Sequence, residues 1–265
     1  MSDTLLKVDH VNLSYDGRPI LRDLVAEIKR PVTGKTTGQV VGFIGPSGVG
    51  KSQFLRILAG LKKPDTGQVL VEDSLVFPGK VGIVAQNYPL FAHRSVLGNL
   101  MIAASNVYKD TKQALEAVTK YLDMYKLSDH KDNYPAQLSG GQRQRIAILQ
   151  MVLSDSNVIL MDEPFASLDM IMLELTCQTI IDMSNHGANK TVIVVTHDIT
   201  SAASISDHIW LLGHERDSAG NTIPGARLVE NYDVAARGLR YTPGIITRPD
   251  FLSFVAEVKT RFRSL

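Results

Sequence analysis

Three short stretches of this sequence carry residues whose types and spacing suit phosphate chemistry. In "GPSGVGKS", residues 45–52, the glycines Gly45, Gly48 and Gly50 are interleaved with Pro46, Ser47 and Val49 and lead into Lys51, Ser52 and Gln53. Glycines let successive backbone N–H groups converge on an anion, and a helix that follows adds the positive end of its dipole. The spacing is that of a nucleotide-cradling loop, with Lys51 on the phosphates and the Ser52 hydroxyl on Mg²⁺. In "NVILMDEP", residues 157–164, an apolar run ends in two adjacent carboxylates. Asp162 suits the metal, and Glu163 suits an attacking water that it would orient and deprotonate during γ-phosphate transfer. In "LSGGQRQRIAIL", residues 138–149, Leu138, Ser139, Gly140, Gly141 and Gln142 open a basic amphipathic helix with Ile146, Ala147 and Leu149 on its apolar side, which makes a second anion-binding helix start.

A competing lysine stands in "TGKTTG", where Lys35 follows Gly34. Pro31 lies in the preceding stretch and donates no N–H, and the residues after it, "GQVVGFIG", read as a strand and not a helix. This stretch therefore reads as a solvated basic turn between two strands, and Lys51 is the phosphate lysine.

The elements that must position these residues follow from periodicity. "VVGFI" supplies a strand before the glycine loop, and "SQFLRILAGL" a helix after it, with Phe54, Leu55, Leu58 and Leu61 at helical spacing. "TKQALEAVTKYLDMYKL" places Leu115, Val118, Leu122 and Tyr125 on the apolar face of another helix. The order of strand, loop, helix, helical stretch, acidic strand and "TVIVVTH" strand predicts an α/β fold: a P-loop RecA-like core with an antiparallel β subdomain and an inserted α-helical subdomain. The expected boundaries are 1–86 and 147–213 for the core with its β subdomain, and 87–146 for the helical subdomain. Residues 214–265 form a C-terminal extension, too short for a separate domain of ordinary size and expected to pack on the core. Its last helix is expected to be capped by Asp250, with Phe251, Phe254, Val255, Val258 and Phe262 on one side.

With all three motifs in this order, the chain resembles the ATP-binding subunits of ABC transporters over about Leu5 to Leu212. The resemblance implies that the phosphate loop of one subunit and the LSGGQ of a second close on the same ATP, in a head-to-tail dimer with two composite sites. It implies further roles residue by residue. Gln86 in "VAQN" resembles the glutamine that reaches metal and attacking water, and His197 resembles the switch histidine on the γ-phosphate. Asp169 closes "ASLD", the loop that touches the opposite subunit, and Tyr15 resembles the aromatic that stacks on adenine. Gln53 departs from the pattern, standing where a second hydroxyl residue is usual. Tyr88, Leu90 and Phe91, directly after Gln86, read either as ordinary packing or as part of the groove that receives a short helix from a membrane subunit.

The implied function is ATP hydrolysis that powers solute transport, with ATP and Mg²⁺ as ligands and a second ATP-binding subunit, expected to be a copy of this chain, as partner. Integral membrane permease subunits and a solute-binding protein complete the assembly, at the cytoplasmic face of the inner membrane. Among importers, the nitrate, sulfonate and taurine type is the nearest in pattern. The alternatives are an ATPase of an exporter or lipid-moving complex, or a soluble ATPase of the same family acting off the membrane. The composition fits this reading. The 265 residues carry 28 basic and 27 acidic side chains, net charge +1, which offers no bulk attraction to nucleic acid, and none is expected as partner. The apolar runs are far short of the roughly 20 residues that span a bilayer. The single cysteine, Cys177, sits in an apolar stretch and reads as a small buried hydrophobe.

Overall fold

The computed structural model describes residues 3–30, 38–154, 156–166, 168–185 and 190–265. The expected basic turn around Lys35 lies outside the described residues, and the strands Arg18–Lys29 and Gln39–Ile44 flank it. The chain opens on a hairpin of β1 (Thr4–Tyr15) and β2 (Arg18–Lys29), then enters β3 (Gln39–Ile44) and α1 (Lys51–Leu58). Next come β4 (Thr66–Val71), β5 (Ser74–Leu75) and β6 (Gly82–Val84). The helices α2 (Val96–Val107), α3 (Thr111–Met124) and α4 (Gly140–Leu153) follow, with a 3₁₀ turn at Ser128–His130 between the last two. After β7 (Val158–Asp162) come α5 (Met170–Asn185), β8 (Thr191–Thr196), α6 (Ile199–Ile205) and β9 (His208–Gly213). β10 (Arg227–Asp233) and α7 (Pro249–Arg263) end the chain.

Among the described residues these strands form two sheets. One is antiparallel, in the order β2-β1-β4-β5, and the other runs β10-β9-β3-β8-β7-β6. In the second sheet β9, β3, β8, β7 and β6 are parallel, with β10 antiparallel at the edge. Parallel strands covered on both faces should be apolar throughout, without alternation. Every residue of β8 is buried, as are Val158 to Met161 of β7. The register pairs Ile44 with Thr196 and Asp162 with Val195, so three neighbouring strands end at one level. Ligands of such sheets bind beyond the carboxyl ends of the strands.

The helices form their own core, with Val96, Leu100, Ala104, Ala114, Val118, Leu122, Ile146 and Leu149 buried together. Here α3 turns Ala114 inward and leaves Leu115 exposed, contrary to the expected face. Leu61 is likewise exposed, because α1 ends at Leu58. The expected boundary at 146/147 falls inside α4. That helix buries Ile146, Leu149 and Leu153 among the helices, and its other side, Ala147, Ile148 and Val152, against the strand residues Ile159 and Met161. The segment after 213 does more than lie on the core, since β10 joins the large sheet. Phe251, Phe254, Val255 and Val258 of α7 share a buried cluster with Ile209 and Leu211 of β9, and Phe262 is partly buried against it. Asp250 does not cap this helix: Pro249 occupies its first turn and Arg248 stands at the cap. Cys177 is buried, and burial raises its thiol to about 11.

Candidate nucleotide site

The glycine loop runs from the end of β3 to the start of α1. Gly50 caps α1 with φ 108°, a left-handed backbone that favours glycine, and a β-carbon there would lie 2.9 Å from Leu21 Cδ2. No side chain caps this helix. The N–H of Gln53 bonds the Gly50 carbonyl at 3.0 Å, and the start of the helix, uncapped by a Ser or Asp side chain, is open to an anion. Lys51 is buried, and its Nζ donates to the carbonyls of Gly45 at 2.8 Å and Pro46 at 3.0 Å. Burial lowers the lysine's pKa, while the charges of Glu163 and Asp162 oppose that shift. The ammonium therefore lies between the loop and the two carboxylates.

Those carboxylates end β7, on the strand beyond β8. Glu163 has φ 48°, which is uncommon for a residue with a side chain. Its backbone N–H still pairs with Val195 at 2.8 Å, while its carboxylate turns toward the end of β8. There Thr196 Oγ1 donates to Glu163 Oε2 at 2.8 Å, and His197 Nδ1 lies 2.9 Å from Glu163 Oε1. Local strain of this kind is held by surrounding contacts and concentrates at working sites. A cavity of 450 Å³ opens here, lined by Glu163, Phe165, Ala166, Thr196, His197 and Asp198. Asp162 has its pKa raised, by burial first and by Glu163 second, with Lys51 acting in the opposite sense.

That shift gives a stability prediction. An acid whose pKa is higher folded than unfolded favours folding while protonated, and the advantage is lost as pH rises through the folded value. Near neutrality the ionised Asp162 weighs against the fold. Asp162→Asn is expected to raise the melting temperature of the nucleotide-free, metal-free protein at neutral pH, with no gain below the ordinary carboxyl value of 3.8. An unchanged or lower melting temperature at neutral pH would show that Lys51 already offsets the charge.

The start of α4 is built differently. Ser139 caps it: its Oγ accepts from the N–H of Gln142 at 3.3 Å, and the Gln142 Oε1 accepts from the N–H of Ser139 at 2.8 Å. This reciprocal pair is the capping-box arrangement. Leu138 is buried beneath it and Gly140 is exposed. A second cavity, 540 Å³, brings Gly140 and Gly141 together with Gln86 and Asp169. Asp169 also caps α5, its Oδ1 accepting from Met172 N at 2.9 Å. The expected residues thus fall into two groups in one chain. Lys51, Asp162, Glu163 and His197 surround one end of the sheet, whereas Gln86, the signature glycines and Asp169 line an adjoining cleft that shares Ala166 with the first cavity.

Tyr15 and Gln53 carry separate expectations, and the structure joins them: the Tyr15 hydroxyl donates to Gln53 Oε1 at 2.7 Å. Three further contacts have no signal in the spacing. Lys62 Nζ lies 4.0 Å from the centre of the Tyr15 ring. Thr196 holds Glu163 through its hydroxyl. Gln144, fully buried in α4, donates to the Pro164 carbonyl at 2.8 Å and so ties the signature helix to the turn after Glu163.

A parallel sheet with a glycine loop at the end of one strand and a carboxylate pair at the end of another defines a P-loop nucleotide-hydrolysing protein. Residues 34–166 match the family described as "ABC transporter". The arginine transport ATP-binding protein ArtM of Bacillus subtilis (strain 168) is 34% identical over 218 residues, 78% of this chain and 87% of that protein. The probable sulfate/thiosulfate import ATP-binding protein CysA of Chlorella vulgaris is 38% identical over 180 residues, 66% of this chain and 76% of that protein. A solved dimeric structure, the post-hydrolysis state of the ATP-binding cassette MJ0796 bound to ADP and Pi, matches with TM-score 0.69 and 26% identity, covering 86% of this chain and 98% of that one. The chain belongs to the ABC transporter family and is one of its ATP-hydrolysing subunits. Among the described residues no helix is long and apolar enough to cross a membrane.

Proposed function

We propose that this chain powers import of a small polar or anionic nutrient, working as a homodimer in which each ATP is held by the glycine loop of one copy and the signature turn of the other. The observation that carries this reading is the division of the site. Gly140 and Gly141 open onto a cleft with Gln86 and Asp169, and Lys51 and Glu163 do not line it. A two-fold pairing would supply both halves to two nucleotides at once.

Within each site Lys51 exchanges its two loop carbonyls for phosphate oxygens, and Tyr15, tethered by Gln53, stacks on adenine. Glu163 takes the proton of the attacking water, held by Thr196, with His197 at the γ-phosphate. The donor set fits Mg²⁺. Asp162 and Glu163 face one lysine, and burial disfavours the Asp162 charge, so a further cation is favoured there. Ser52 and Asp162 would hold the ion, which takes a few protein oxygens together with those of phosphate, and Gln86, which lines the cleft of the signature glycines here, would join them only by moving toward the carboxylates. When bound, the ion would neutralise charge on the nucleotide phosphates.

The membrane partners are permease subunits at the cytoplasmic face, fed by a solute-binding protein. Phe91 is exposed beside His93, on a loop whose ends are held by the buried Asn99: its Oδ1 accepts from Phe91 N and its Nδ2 donates to the carbonyls of Phe91, Arg94 and Ser95. A rigid exposed aromatic of this kind suits docking of a short helix, whereas Tyr88 and Leu90 pack inward. The names of the two relatives, an arginine transporter and a sulfate importer, support uptake of polar solutes, and the nitrate, sulfonate and taurine pattern remains the finer reading.

ATP turnover per chain is expected to rise with protein concentration, because each site needs two copies. A turnover independent of concentration, with the protein monomeric by light scattering in ATP, would overturn the shared site.

A further inference from the structure

The signature glutamine is held from two sides, and the second partner lies outside the motif. The Gln142 Oε1 accepts from the N–H of Ser139, which fixes the orientation of the amide and turns Nε2 outward. That Nε2 lies 2.9 Å from Nε2 of His130. An amide nitrogen has only protons to offer, and both ring nitrogens face one: Nε2 faces Gln142, and Nδ1 faces Asn133 Nδ2 at 3.3 Å. A neutral imidazole accepts through one nitrogen only; we assign the acceptor to Nε2, the shorter contact, with the Asn133 amide turned so that its oxygen accepts from Nδ1–H.

His130 ends the 3₁₀ turn between α3 and α4, and the residues after it serve another helix. The N–H of Val96 donates to the Asn133 carbonyl, and that of Leu97 to the Lys131 carbonyl, both at 2.8 Å. These are the first two residues of α2, whose N-terminal donors have no partner within the helix. Ser95 Oγ accepts from Gly98 and completes that cap. One four-residue turn, 130–133, therefore closes the start of α2 with its backbone and the start of α4 with one side chain.

We propose that His130 is a positioning residue for the signature turn, holding Gln142 so that Ser139, Gly140 and Gly141 keep the shape that meets the second copy's nucleotide. This rests on the shared-site reading of the function. It also means that the exposed loop at 91–95, which runs straight into α2, and the signature turn are braced by the same four residues. Without the imidazole acceptor Gln142 keeps only its bonds to Ser139, and the capping box is free to rotate as a unit on its exposed side.

The test uses the full-length chain carrying Glu163→Gln, so that ATP binding is read without hydrolysis. In that background His130→Ala is expected to weaken ATP-driven dimerisation, measured by sedimentation, about tenfold. Binding of a fluorescent ATP analogue to the dilute monomer should not change. His130→Gln, whose Oε1 replaces the lost acceptor, should recover dimerisation to within about twofold of the parent. In a Gln142→Ala background, His130→Ala should add no further loss, an outcome that a purely structural role would not produce. Dimerisation unaffected by His130→Ala, or additive losses in the double variant, would overturn the proposal. If His130→Ala does not fold, His130→Gln decides: a folded His130→Gln chain that dimerises poorly refutes the acceptor role. If the parent Glu163→Gln chain stays monomeric in ATP, the shared-site reading itself fails, and that result is distinct from all of these.

Discussion

Glu163→Gln is expected to bind ATP as well as the parent and to hydrolyse it slower by on the order of a hundredfold or more, trapping the ATP-bound dimer. The substitution keeps the volume and the left-handed backbone at φ 48°, so the turn after β7 and its bond to Val195 should survive. The change falls on the second oxygen. In the parent Oε2 accepts from Thr196 and Oε1 faces His197, leaving a charged acceptor aimed into the cavity between them. An amide keeps one acceptor and turns a donor on the other neighbour, and it does not take a proton from water at any relevant pH. In the proposed site nucleotide affinity would come from the loop at 45–52 and not from Glu163, so binding and turnover should separate. Single-turnover hydrolysis together with a filter-binding measurement checks both. A turnover near that of the parent would remove Glu163 from the proton-accepting role.

The parts of this site that can be read from spacing are those where one local element does one job. The glycine loop needs a strand, three glycines and a helix, and all appear between Gln39 and Leu58. The capping pair of Ser139 and Gln142 is equally local, three residues apart on one helix start. The contacts that spacing does not reveal join distant segments. Thr196 meets Glu163 across two strands, Lys62 meets Tyr15 across 47 residues, and His130 reaches Gln142 from the turn before another helix. Nothing in the periodicity of either partner marks such pairs.

The misplacements in the fold have related causes. Leu115 and Ala114 are both compatible with the apolar stripe of α3, and only packing among three helices selects the smaller residue for the inner face. Asp250 is a favoured capping type, but Pro249 has its φ preset for the first helical turn and starts α7 one residue earlier. β10 escapes a reading by periodicity because an edge strand with one exposed side, "RLVENYD", lacks the continuous apolar run of its parallel neighbours.

Lys51→Ala and Lys35→Ala form the sharpest contrast the sequence offers, since both lysines follow a glycine in a threonine- or serine-containing stretch. Lys35 lies outside the described residues, yet the next element along the chain is β3 and not a helix, so no N-terminal dipole stands behind it. Lys51 begins α1, is buried, and is the cation facing both Asp162 and Glu163. Its burial lowers its pKa, which means the fold holds the ammonium at a cost that bound phosphate would offset. Removing it leaves the Gly45 and Pro46 carbonyls without their donor and sets two carboxylates against the incoming triphosphate. Lys51→Ala should therefore lose ATP hydrolysis by on the order of a hundredfold or more, with weakened nucleotide binding, whereas Lys35→Ala should keep a rate near that of the parent. Steady-state hydrolysis of the two variants, each shown to be folded by circular dichroism, decides the matter: equal loss in both would mean that the basic stretch at 29–38 reaches the nucleotide.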